Sequence, residues 1–112
     1  MNDCIFCGIV RGEAPTELIA ESDHAVAFND RSPVMPVHVL VIPRRHIDRL
    51  HEATAEDADA LVDCLLLANR VADMTGIAGS GYRVATNCGD DAGQVVHHLH
   101  FHVIGGAKMN FG

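Results

Sequence analysis

The chain has 112 residues, with 15 acidic against 8 basic side chains for a formal charge of −7, and 48% of it is hydrophobic. That length is expected to form one domain spanning 1–112 with a core of its own, and the apolar content excludes a disordered chain. The negative charge disfavours broad nucleic-acid or membrane-surface binding, whose partners carry phosphates, and no apolar run reaches the roughly 20 residues of a membrane helix.

The opening stretch MNDCIFCG has no basic segment followed by an apolar one, so no secretion signal and a cytoplasmic location are expected. In a reducing compartment, Cys4, Cys7, Cys64 and Cys88 are expected as thiols or metal ligands rather than disulfides. Cys4-x-x-Cys7 suits two corners of a zinc tetrahedron better than a redox pair, since no strand precedes it. Leu18 to Glu21 and Ala25 to Phe28 read as short strands joined by a Ser-Asp-His turn. Val37 to Ile42 is β-branched and stops at Pro43, so it reads as a buried strand. Thr54 to Thr75 is the helix, with Thr54 and Asp57 as a capping box and Gly76 as its end. Ala58, Leu61, Val62, Leu65, Ala68 and Ala72 form its expected buried stripe. Cys64, Leu66, Leu67 and Val71 widen that face enough to suggest a second partner surface such as another copy of the chain, with Cys64 itself in the core. Tyr82 to Thr86 is a fourth strand, 89–93 a glycine-bearing polar turn, and Val95 to Ile104 a fifth strand closed by Gly105-Gly106. One long helix among hairpin-spaced strands predicts an α+β fold with a mostly antiparallel sheet.

Eight histidines are present, and four of them fall in the segment 97–102. In an extended chain, Leu99, Phe101 and Val103 point into a core. His98, His100 and His102 point the opposite way at roughly 6.6 Å intervals, and His97 falls on the apolar side as a spacer. A row of imidazoles has little packing value. It can be a solvated face, a catalytic zinc site completed by a further ligand, or a nucleophile on phosphorus with neighbours that manage protons and charge. An imidazole with a reference pKa near 6.5 suits the last role, and the turn NCGDDAGQ could aim backbone N–H groups at a phosphate.

GQVVHHLHFHVIGG resembles the signature of the histidine-triad (HIT) family, in which histidines alternate with apolar residues; here it reads His98-Leu99-His100-Phe101-His102-Val103-Ile104. CIFCGIVRGEAP, AVAFNDRSP and HVLVIPRRHI resemble further family segments in the same order, and the Gly-Gly after the triad resembles the nucleotide-binding Hint branch. The resemblance implies a five-stranded sheet with one long and one short N-terminal helix, and a homodimer. It implies a purine nucleoside 5'-phosphoramidate hydrolase in which His100 attacks the α-phosphate to form a nucleotidyl-histidine. His102 then assists the leaving group, while His98 and His38 line or support the site. Ile5, Phe6, Ile9 and Phe28 would form the purine slot, Asn29 and Asp30 the ribose site, and Asn87, Gly93, Gln94 and Val95 the surroundings of the α-phosphate. Val95 departs from the serine often found there, which affects leaving-group choice. Some HIT-like proteins hold a structural zinc on residues matching Cys4, Cys7, His46 and His98. Competing expectations are a dinucleoside-polyphosphate hydrolase or nucleotidyltransferase of the family, a zinc-stabilised nucleotide-binding module without turnover, and a catalytic-zinc enzyme.

Overall fold

The structure, a computed structural model, describes residues 4–110, so the first three residues of MNDCIFCG and the last two of AKMNFG lie outside it. Helix α1 (Ile5–Val10) precedes strands β1 (Leu18–Glu21), β2 (Ala25–Asn29) and β3 (Val37–Pro43); α2 (Ala58–Thr75), β4 (Tyr82–Ala85) and β5 (Phe101–Gly105) follow. The strands form one sheet in the order β1-β2-β3-β5-β4, each antiparallel to its neighbours. This is the expected α+β architecture with one long and one short helix. Among the described residues, no helix is long and apolar enough to cross a membrane.

Strand alternation divides the core in two. Ala25 and Ala27 of β2 and Val39 and Val41 of β3 face α2, where they meet Cys64, Leu67, Ala68, Val71 and Ala72 together with Leu99, Phe101 and Val103. Val26, Phe28, Leu40 and Ile42 face the other way and pack against Phe6 and Ile9 of α1. A helix therefore covers each face of β3, which explains why its burial is nearly continuous.

The buried stripe of α2 is rotated from the predicted one. Ala60, Cys64, Leu67, Ala68, Val71 and Ala72 are buried, whereas Val62, Leu65 and Leu66 are exposed and Ala58 lies on the surface. Ala60, Cys64, Ala68 and Ala72 keep the sheet side small enough for a close approach of the helix axis, and Leu67 and Val71 fill the space beside them. The Cys64 thiol is fully buried, which pushes its pKa up to about 12.

The capping box forms as predicted around a 3-10 turn, Ala55–Asp57, that leads into α2. Asp57 accepts the Thr54 N–H at 3.0 Å and also pairs with Arg45 at 3.1 Å while its side chain is 5% exposed. Asp57→Ala is expected to cost about 1–2 kcal/mol by removing the cap and leaving that N–H unpaired, read as a lower denaturant midpoint at unchanged slope.

β5 is shorter than the predicted 95–104. Its ladder with β3 runs from Val37↔Gly105 to Val41↔Phe101. The same register carried further would set Leu99 opposite Pro43, which has no N–H to give. The Leu99 N–H bonds instead to the Ile47 carbonyl at 2.6 Å, and the Pro43 carbonyl accepts from the His98 ring at 2.9 Å. Residues 95–100 are therefore irregular, and His97 is exposed rather than on the apolar side. At the other end of β5, a Cβ on Gly105 would stand 3.0 Å from Ile77 Cδ1, so the closing glycine lets α2's exit pack against the strand.

Candidate active site

The irregular lead-in still sorts the triad by face. Leu99, Phe101 and Val103 enter the core beneath α2. His98 and His100 lie on the α1 side, where Phe6 meets their rings edge-on with centroids 5.9 and 5.3 Å apart. Only His102 belongs to β5, and its ring centroid is 5.1 Å from that of His100.

Backbone groups fix the proton positions on these rings. His100 Nδ1–H donates to the His98 carbonyl at 2.7 Å, so the Nε2 lone pair is left on the side that lines the cavity. The Thr86 hydroxyl donates to the His100 carbonyl at 2.7 Å, which holds the residue from behind. The Val34 N–H donates to His38 Nδ1 at 3.1 Å, so His38 carries its proton on Nε2. That Nε2–H reaches His102 Nδ1 at 2.9 Å and lies 3.2 Å from Asp30 Oδ2. His102 must then carry its own proton on Nε2, a buried N–H without a hydrogen-bond partner among the described residues. The site thus sets a free imidazole lone pair beside an uncommitted imidazole N–H. One suits attack on an electrophile and the other suits donation to an oxyanion or a departing atom.

Burial lowers the His102 pKa to about 4, with His100 and His38 adding to the effect. Unfolded histidine takes up a proton below about 6.5, and folded His102 does so only near 4. Its contribution is therefore intact above pH 6.5 and is lost as pH falls from 6.5 toward 4, by about 1–2 kcal/mol once solvent screening is allowed for. Thermal melts at pH 7 and pH 4.5 should show His102→Gln losing less stability over that range than the parent chain.

A second cluster lies behind the first. Cys4 caps α1, accepting the Cys7 N–H through its sulfur at 3.4 Å, and this turn presents both sulfurs together. Cys7 Sγ lies 3.1 Å from His46 Nδ1 and 3.5 Å from His98 Nδ1, and Cys4 Sγ lies 3.4 Å from His98 Nδ1. A tetrahedral zinc site with ordinary bond lengths has sulfur–nitrogen edges of about 3.5 Å. The outer nitrogens agree with that use. His98 Nε2–H donates to Pro43 O, and His46 Nε2 is 2.6 Å from Asp48 Oδ1, so each Nδ1 lone pair faces the sulfurs. Burial also lowers His98 to about pKa 4, which favours the neutral, ligating form. These four residues can hold a metal ion. Asp30, His38 and His102 are equally close to one another, but the Val34 N–H keeps the His38 proton on the inward nitrogen, as a proton relay requires and a metal ligand does not.

The main cavity, of about 780 Å³, is lined by Ile5, Phe6, Ile9 and Phe28 on its apolar side and by Asn29, Asp30, Asn87, Gly93, Val95, His100 and His102 elsewhere. His38, His98 and Gln94 are not part of its lining. Gln94 is buried and holds the turn together: its carbonyl accepts the Gly89 N–H, and its amide donates to the Asp48 and Val96 carbonyls. The turn 89–93 is a poorer anion nest than its composition suggests. The N–H groups of Gly89, Ala92, Gly93 and Gln94 are all bonded within it, and the Val95 N–H has no partner among the described residues.

The HIT domain model matches residues 11–109. The chain belongs to the histidine-triad family. This HIT protein is similar to a purine nucleoside phosphoramidase of Escherichia coli, 38% identical over 108 residues that cover 96% of this chain and 91% of that protein. A HIT family hydrolase from Clostridium thermocellum has a similar structure, with a TM-score of 0.95 and 43% identity over 100% of this chain and 97% of that one. A histidine triad nucleotide-binding protein from Candida albicans aligns at a TM-score of 0.82 and 34% identity over 90% of this chain and 73% of that one.

Sequence reasoning did not reach all of the HIT cavity. Ala14, Pro15, Thr16, Arg31, Ser32, Leu40 and Val96 also line it. Arg31 and Ser32 adjoin Asp30, and Leu40 shares the face of Phe28 and Ile42, so proximity and alternation were the available signals. The segment 14–16 carries no motif of its own and is brought in by the turn after α1.

Proposed function

We propose that this protein, read as a single HIT domain, is a purine nucleoside 5'-phosphoramidate hydrolase. The observation that carries the reading is the pairing of a free His100 Nε2 with a protonated His102 Nε2 in a cavity whose other side is an apolar slot. The name of the Escherichia coli relative agrees with it.

In this reading the purine rests among Ile5, Phe6, Ile9 and Phe28. Asp30, beside Asn29, accepts the ribose hydroxyls through lone pairs left over from the Ser32 N–H and His38 contacts. Asn87, Gly93 and the Val95 N–H border the α-phosphate, and Gln94 keeps that border rigid. His100 Nε2 attacks phosphorus, the P–N bond breaks, and its electron pair leaves with the amine, which takes the His102 Nε2 proton. The anionic phosphate favours the cationic form of His102, which enters the step protonated on both nitrogens while the His38 Nε2–H turns to Asp30, and loss of the Nε2 proton leaves it neutral. Water then attacks the nucleotidyl-histidine, gives a proton back to His102, and frees His100 and the nucleoside monophosphate. His98 acts through its carbonyl, which sets the His100 tautomer.

Cys4, Cys7, His46 and His98 are assigned a structural zinc, which would clamp α1 to the lead-in of β5. A homodimer is also part of this reading, supported by the exposed Val62, Leu65 and Leu66 of α2 and by β4 at the sheet edge.

Incubation with adenosine 5'-phosphoramidate and, separately, with diadenosine polyphosphates tests the assignment. Release of the monophosphate and ammonia, faster than any cleavage of the polyphosphates, is expected. Tight nucleotide binding without turnover of either would overturn it in favour of a binding module.

A further inference from the structure

Arg31 stands apart from the other arginines of the chain. Arg11, Arg44, Arg45 and Arg49 each pair with an acid, Arg70 donates to a backbone carbonyl, and Arg83 also has a partner. Arg31 has no hydrogen bond or ion pair among the described residues, although the chain carries a formal charge of −7. Its neighbour Asp30 does not neutralise it: one Asp30 oxygen accepts the Ser32 N–H at 2.7 Å and the other faces His38. Arg31 is also the one arginine or lysine lining the main cavity.

Its position in that cavity limits what it can meet. The buried floor is made by Phe6, Ile9, Phe28 and Leu40, with the two phenyl rings edge-to-face at 74° and 5.4 Å. Both phenyl rings in the lining belong to this floor, and the rim is built from exposed Arg31, Ser32, Asn29, Pro15, Ile5 and Val95. A flat heterocycle laid on the floor has one face covered and the other toward the rim. A guanidinium is planar, weakly hydrated and well suited to stack on such a face, whereas an ammonium is not. The phosphate end of the cavity already has donors of its own in the His102 Nε2–H and the Val95 N–H.

We infer that Arg31 is a specificity-determining residue that closes over the outer face of a bound purine and clamps it against the Phe6–Phe28 floor. The inference rests on the nucleotide reading above and adds the residue that selects large, two-ring bases. Its loss weakens capture without altering the reacting groups, so it acts on KM rather than kcat.

The test compares the parent chain with Arg31→Ala and Arg31→Lys on adenosine and uridine 5'-phosphoramidates, at low and high salt. For Arg31→Ala, KM for the adenosine substrate should rise about 10-fold while kcat changes little, with an effect below about 3-fold for the uridine substrate. Arg31→Lys should resemble the alanine variant, and the difference from the parent should persist at high salt. Full rescue by lysine, or loss of the difference at high salt, would show a simple charge contact and overturn the stacking assignment, as would equal effects on both bases. If the parent turns over both substrates and neither variant differs from it, Arg31 has no role. If the parent shows no turnover and no binding of nucleoside monophosphate, the nucleotide reading itself fails.

Discussion

Replacing His100 with alanine is expected to lower kcat on adenosine 5'-phosphoramidate by about 10⁴-fold or more while leaving monophosphate affinity within about 3-fold. The asymmetry follows from the division of labour in the cavity. In the proposed reading base and ribose meet Phe6, Phe28 and Asp30, none of which depends on the His100 ring for its own placement except through one edge-to-face contact of Phe6. The lone pair proposed to attack phosphorus has no substitute. His38 presents a protonated Nε2, His102 also presents N–H, and His98 turns its ring away toward Cys4, Cys7 and Pro43. Steady-state kinetics together with calorimetric titration of the monophosphate read both halves of this expectation. Equal loss of binding and turnover would mean that His100 shapes the pocket instead of reacting in it.

Removal of the metal is expected to have the largest effect on stability. Purified protein should contain about one zinc per chain, and Cys7→Ser should lack it. Cys7 is buried and its sulfur lies near both His46 and His98, so the substitution breaks two edges of the site at once. A structural zinc supplies folding free energy directly, and loss of even about 3 kcal/mol in a domain of this size lowers Tm by more than about 10 °C. The variant and the chelated parent should melt at similar temperatures. Turnover measured well below that melting point should survive chelation, because the residues proposed to hold the ion include His98 and not His100. Metal-free protein of unchanged Tm would remove zinc from the structure, and immediate loss of turnover on chelation would move it into the chemistry.

Much of the fold is legible because local patterns agree with the tertiary arrangement. The runs 18–21, 25–28 and 37–42, bounded by a turn and by Pro43, read as strands, and the sheet is built from them with ends within one residue. The capping box at Thr54 and Asp57 is equally local. What the sequence hides is decided by neighbours. The end of β5 depends on Pro43, a residue of another strand, which cannot complete the ladder at Leu99. The α2 stripe depends on where the sheet sits around the helix, so Leu67 and Val71 are buried and Val62 and Leu65 are not, although both pairs are apolar. The triad itself stands out by type and spacing. The proton positions on its rings do not, because the Val34 N–H and the His98 carbonyl that fix them are main-chain groups of no particular residue. Arg31 is hidden for a related reason: an arginine on a turn is ordinary until its lack of a partner is seen.

Trapping the reaction of a slowly hydrolysed adenosine phosphoramidate with acid or denaturant, followed by peptide mass spectrometry, examines the chemistry at its decisive atom. A nucleoside monophosphate adduct on the His100 peptide, formed as fast as turnover and absent from His100→Ala, is the expected result. Steady turnover with no adduct, or an adduct carried by His38, His98 or His102, would contradict it.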